Sequence, residues 1–182
     1  MSTCVQASKF VKVLTCAISI CTILAVYLGS AAHVRAREVV SFSPEYPAGT
    51  IIISQHERKL YLSEGNGTAI RYPIAIGMAG RAWLGETAVE GKYLAPDWVA
   101  PAVVLHDHPN LAHFIRGGSP HNPMGAAAIT LMRHQVAIHG TTASMRRSVG
   151  TAASYGCIRM YNEDVVDLYQ RVNVGAPVIA VP

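Results

Sequence analysis

Apolar residues enter this chain first as one long block and then as many short ones. Val13 to Leu28 runs without a single charge directly after Lys9 and Lys12. Beyond residue 48 the apolar runs shrink to four to eight residues bounded by turn formers, which is the pattern of short strands. Gly49 to Ser54 is a β-branched run and Lys59 to Leu62 a second, and Glu64-Gly65-Asn66-Gly67 reads as a turn before Ala69 to Ile76. Further strands are expected at Gly91 to Leu94, Ala127 to Leu131, Gln135 to His139 and Val178 to Val181. Val103 to Met124, rich in His, Pro and Gly, reads as a long loop or lid. Only one segment carries helical periodicity. Asn162 caps it in this reading, and Glu163 and Asp164 suit its positive first turn. Val165, Val166, Leu168, Tyr169 and Val172 form its apolar stripe, and Gly175 and Pro177 stop it. The expected class is a mainly-β domain with one clear helix.

The first block reads as a targeting segment. A basic flank, an apolar run and small residues after it (Ser30-Ala31-Ala32, or Val34-Arg35-Ala36) fit a secretory signal. The run is shorter than the ~20 residues of a comfortable membrane span, and an uncleaved N-terminal anchor is the alternative. Either reading exports the remainder. Residues 1–36 are therefore assigned to the leader, 37–48 to a linker and 49–182 to one domain.

Charge and cysteine usage change meaning once the leader is set aside. Lys9, Lys12 and Arg35 are three of fifteen basic side chains, and no acid precedes Glu38. The rest holds twelve basic groups against eleven acidic ones. That balance removes nucleic acid from the expected partners. Cys4, Cys16 and Cys21 also fall in the leader, so the exported part keeps one cysteine, Cys157, and cannot form an internal disulfide.

The chemistry concentrates between Ile138 and Met160. Ile138-His139-Gly140-Thr141 is followed, 18 residues beyond His139, by Cys157 within Ser154-Tyr155-Gly156-Cys157-Ile158-Arg159-Met160. A cysteine attacks as thiolate, yet a free thiol with a pKa of about 8.5 is mostly protonated at neutral pH. A histidine within reach can take that proton and later return it to a leaving amine. Gly156 permits a tight turn whose backbone N–H groups, those of Gly156 and Cys157, can face an oxyanion. Taken singly, Cys157 could be a small core residue and His139 a satisfied strand histidine. If the pair is coupled, an imidazolium beside the thiol is expected to hold its pKa below the free value.

These two segments resemble the L,D-transpeptidase family, the YkuD-type catalytic domain of bacterial cell-wall enzymes. Its signature is a His-Gly-Thr segment followed by Ser-x-Gly-Cys-(Ile/Val)-Arg-(Met/Leu). The resemblance extends from Tyr72-Pro73-Ile74-Ala75-Ile76-Gly77 through Asp97-Trp98-Val99-Ala100-Pro101 and Asn122-Pro123-Met124-Gly125 to Val174-Gly175-Ala176-Pro177-Val178. Three departures stand out. Tyr155 replaces a frequent His or Arg, the His–Cys spacer is longer around Met145-Arg146-Arg147, and a Thr-Pro-Thr-Gly segment is reduced to Thr87-Ala88-Val89-Glu90-Gly91.

The resemblance implies an L,D-transpeptidase-type β-sandwich and acyl transfer on peptidoglycan stem peptides. Cys157 is then the nucleophile, His139 the base, Gly156 part of the oxyanion hole and Ser154 an orienting residue. Arg159 is either a substrate carboxylate anchor or the partner of an acid in the following helix. Tyr155, Thr141, Gly140 and His121 are the other candidate substrate contacts. The acceptor is another stem peptide or a lipoprotein lysine; water in its place would make a carboxypeptidase or cross-link hydrolase. A wall-binding module without catalysis is a third class. His106, His108, His113, His121 and His134 lack ligand spacing with the acids, so no metal or other cofactor is expected.

Overall fold

In a computed structural model of the protein, residues 37–182 are described. The leader and the choice between signal and anchor lie outside them, and no helix among the described residues is long and apolar enough to cross a membrane. The chain forms β1 (Glu38–Ser41), β2 (Ile51–Ser54), β3 (Lys59–Ser63), β4 (Thr68–Pro73), β5 (Ile76–Gly77), β6 (Gly85–Leu94) and β7 (Trp98–Val99). It continues with helix α1 (Ala102–Asp107), β8 (Phe114–Ile115), β9 (Ala127–Leu131), β10 (Ala137–His139) and a 3₁₀ turn (Arg146–Ser148). β11 (Ala152–Ser154), β12 (Ile158–Arg159), helix α2 (Asn162–Arg171) and β13 (Pro177–Val181) complete it. The mainly-β class with one clear helix is the observed one.

Nine strands make the main sheet in the order β1-β4-β3-β2-β13-β6-β9-β10-β12, and two-stranded pairs join β11 to β5 and β7 to β8. The Ile51-Ile52-Ile53 run shows why β2 is buried throughout. Ile51 and Ile53 enter the main core, which also takes Leu60, Tyr72, Ile129, Ile138, Ile158 and Leu168. Ile52 points the other way and packs with Tyr61 and Ala69 under Val40, Phe42 and Tyr46. Phe42 stacks on Tyr61 with ring centroids 4.8 Å apart. Residues 37–48 are thus not a linker. The β-branched pair Val39-Val40 adds β1 to the edge at β4, and the aromatics that follow cover the sheet's second face.

α2 lies over β9 and β10 and buries Val165 and Leu168, each contributing about 1.5–3 kcal/mol of apolar burial. Asn162 does not cap it. The cap position belongs to Tyr161, with no side-chain bond, and the Asn162 amide turns towards the loop after β10. The expected lid is also more ordered than a loop, containing α1 and β8.

Candidate active site

The site rests on the parallel pairing of β10 with β12, in which Ile138 faces Ile158 and His139 faces Arg159. Ile138 and Ile158 are fully buried in the core. Because side chains alternate across a strand, His139, Arg159 and Cys157 (two residues before Arg159) turn to the opposite face. All three line one cleft of about 920 Å³, walled by Tyr155, Met124 and the α1 segment. Topology thereby brings together the two residues singled out from sequence.

His139 is 4% exposed, and its Nδ1–H donates to the Gly140 carbonyl at 2.7 Å. A carbonyl only accepts, so Nδ1 carries the proton and a neutral ring leaves Nε2 bare. Burial first, and the Arg159 charge second, pull the His139 pKa down to about 4, although the carbonyls of Gly140 and Pro123 oppose this. Burial likewise pushes the Cys157 thiol up, offset only in part by the Ala137 N–H and by Arg159. The resting pair is therefore neutral thiol and neutral imidazole. This corrects the expectation of a depressed thiol pKa: both groups lose hydration together, and Arg159 adds a positive charge that disfavours imidazolium. The thiol donates to the Gln135 carbonyl at 3.6 Å. Gln135 itself holds φ 56°, a left-handed conformation that costs a non-glycine residue about 1–2 kcal/mol.

The turn carrying Cys157 is locked from three sides. Ser154 Oγ donates to the Cys157 carbonyl at 2.5 Å and accepts the Gly156 N–H at 3.1 Å. Trp83 Nε1 donates to the Gly156 carbonyl at 3.1 Å. Gly156 sits at φ 121°, and a Cβ there would meet the Arg81 carbonyl oxygen at 3.2 Å. Only glycine occupies that geometry without strain. The Gly156 N–H, expected to face an oxyanion, is thus engaged by Ser154. Trp83 was missed in the sequence, where one Trp among apolar and basic residues carries no sign of a contact 73 positions away.

The other candidates divide. Tyr155 and His121 line the cleft, and the Tyr155 hydroxyl donates to Asp107 Oδ2 at 2.9 Å and lies 3.3 Å from His108 Nε2. Gly140 and Thr141 are not among the residues lining the cleft; Asn162 bonds the Thr141 N–H at 2.9 Å. Arg159 is 7% exposed and donates from Nη1 to Ser148 Oγ at 2.7 Å. Its Nε has no hydrogen-bond partner. Glu163 pairs instead with Arg146 and Asp164 with Arg37 at 4.0 Å, so the helix acids are not its partners. Among the described residues no three His, Cys, Asp or Glu side chains converge as a metal site would require.

A domain with this sheet has known counterparts. Residues 48–179 match the L,D-transpeptidase catalytic domain, and the chain belongs to that family. The probable L,D-transpeptidase YbiS of Escherichia coli is 36% identical over 138 residues, covering 71% of this chain and 43% of YbiS. The chain thus spans less than half the length of that relative. L,D-transpeptidase 3 from Mycobacterium tuberculosis shares the fold with a TM-score of 0.61 at 18% identity, covering 75% of this chain and 62% of that one. A Brucella melitensis protein described as a probable carnitine operon oxidoreductase is 35% identical with a TM-score of 0.54, covering 84% of this chain and 97% of that one.

Proposed function

We propose that the protein is a peptidoglycan L,D-transpeptidase working by cysteine acyl transfer. One observation carries the reading: a buried histidine of fixed tautomer at the end of β10 and a cysteine in the turn before β12 line the same cleft. The Cys157 sulfur attacks the carbonyl of the third, L-centred residue of a stem tetrapeptide while its proton passes to His139. The bond to the terminal D-alanine breaks, and His139 returns the proton to the departing amine. An acceptor amine, from another stem or an envelope lipoprotein lysine, gives its proton to His139 and attacks the thioester, and the thiol is restored. The Cys157 N–H is the donor placed for the oxyanion. Because thiol and imidazole are both neutral at rest, proton transfer accompanies attack and does not precede it. The protein acts in the bacterial envelope, with its N-terminal segment as signal or anchor.

The test is mass spectrometry of products from a purified stem tetrapeptide, with and without an amine acceptor. Wild type is expected to release D-alanine and form the amide. Cys157→Ala is expected to lose turnover by about three orders of magnitude or more. Release of the tripeptide alone, with the acceptor present, assigns the protein to hydrolysis. Retained turnover in Cys157→Ala overturns the reading.

A further inference from the structure

We propose that Asn162 is a positioning residue that aims the Gly140 carbonyl at His139 and so fixes which imidazole nitrogen is free to take the thiol proton. The inference rests on His139 acting as base. Asn162 Oδ1 accepts from the Thr141 N–H at 2.9 Å and from the Ala126 N–H at 3.1 Å. Its Nδ2 donates to the Thr141 carbonyl at 2.9 Å.

The Thr141 N–H and the Gly140 C=O belong to a single peptide unit, planar and with the two groups pointing in opposite directions. Holding the N–H from one side therefore directs the C=O to the other, where it meets His139 Nδ1 at 2.7 Å. The second bond, to the Thr141 carbonyl, stops the next unit from turning and relaxing the first.

The approach is possible only because the neighbours are small. A Cβ on Gly125 or on Gly140 would collide with the Asn162 amide oxygen. Asparagine alone fits the slot and its bonds, since it supplies one acceptor and one donor at the end of a one-carbon arm. Aspartate keeps the shape but cannot donate to Thr141 when ionised. Three segments distant in sequence, at 125, 140 and 162, thus converge on the orientation of one ring, which no local pattern encodes.

The experiment compares the full chain in detergent as wild type, Asn162→Ala, Asn162→Asp and Tyr72→Phe. Tyr72 Oη donates to Asp167 at 2.6 Å, so its variant loosens α2 away from the site and controls for stability. Nitrogen-15 NMR of the imidazoles reads the His139 tautomer, and steady-state kinetics on a stem tetrapeptide read kcat and KM. Wild type and Tyr72→Phe are expected to show the Nδ1–H form. Both Asn162 variants are expected to show mixed tautomers, with kcat about 10- to 100-fold lower and KM within threefold, as misplacement of a reacting group costs. If Asn162→Ala does not fold, the isosteric Asn162→Asp carries the comparison alone. An unchanged tautomer, or kcat within threefold of Tyr72→Phe, overturns the proposal. Wild type inactive on stem peptides would sink the functional reading, while the tautomer comparison would still decide the role of Asn162.

Discussion

The floor of the cleft and its lid are built on opposite principles. The floor is made of buried groups with assigned partners: His139 on Gly140, Ser154 on both ends of the cysteine turn, Trp83 beneath Gly156. The lid contributes α1, a helix with no buried residue, and exposed apolar side chains at Val99, Leu111 and Phe114. β8 pairs with β7, and two of the lid's side-chain ties differ in burial. At its root Asn122, 2% exposed, donates from Nδ2 to the Pro96 carbonyl at 2.8 Å and to those of Ile115 and Arg116 at 3.2 Å. At its tip the Tyr155 hydroxyl meets Asp107 and His108 in solvent. Few buried contacts mean a low free energy of local opening. The division teaches where precision is spent: the polar groups of the floor are fixed by buried hydrogen bonds, whereas the lid closes on a solvent-exposed latch of Tyr155, Asp107 and His108.

The comparison is tested first at the floor. His139→Gln is expected to lower kcat by about 10²- to 10⁴-fold. Because His139 titrates near 4 and must be neutral to accept a proton, the acid limb of acylation by wild type should fall near pH 4, and not near 6.5. Iodoacetamide alkylation of Cys157 should rise only in the alkaline range, since burial pushes the thiol up. A reactive plateau at pH 6–7 would show a preformed ion pair and break the account of the floor. Gly156→Ala is expected to follow with about a 10- to 100-fold loss of kcat and about 1–2 kcal/mol of stability, because it forces a side chain into φ 121°. Thermal unfolding beside the kinetics separates the two effects.

At the lid the effects shrink and change kind. Tyr155→Phe removes the latch hydroxyl and is expected to shift KM about 3- to 10-fold while kcat and melting temperature hold. Asp107→Asn should be non-additive with it, since both act on one bond. Additive effects would mean the latch is not the link. The smallest effect lies away from both regions. Burial, more than the neighbouring Glu163 charge, raises Asp164 to about 6, and its Oδ2 has no hydrogen-bond partner. The raised value means that the folded state binds the proton better, a contribution present below pH 3.8 and lost as pH rises through 6. Asp164→Asn should therefore stabilise by about 1–2 kcal/mol at pH 7–8 and have no effect below pH 4, measured by denaturant unfolding.

What could be read from the sequence follows the range of the forces involved. The β2 run of isoleucines and the apolar stripe of α2 are local patterns, and both were legible. β7 and β12 are two residues long and have no period to detect; they exist because neighbouring strands offer them hydrogen bonds. Cys157 and His139 were visible through the words around them, but their protonation was not, since it depends on burial and on Arg159 approaching from the next strand. Asn162 illustrates the limit. An Asn followed by two acids and an apolar stripe is a sound reason to expect a cap, and only the folded chain shows that its amide is engaged 21 residues upstream.

The position of β13 carries a consequence for how the molecule comes into being. The last strand in chain order lies in the interior of the main sheet, parallel to β2 and antiparallel to β6, with Val178 opposite Ile51 and Thr87. Until it inserts, β1 to β4 on one side and β6, β9, β10 and β12 on the other are two half-sheets with open edges. The assembling contact also spans most of the sequence, which makes the search for it slow. Closing the main sheet therefore waits on a pairing between residues 127 positions apart, Ile51 and Val178.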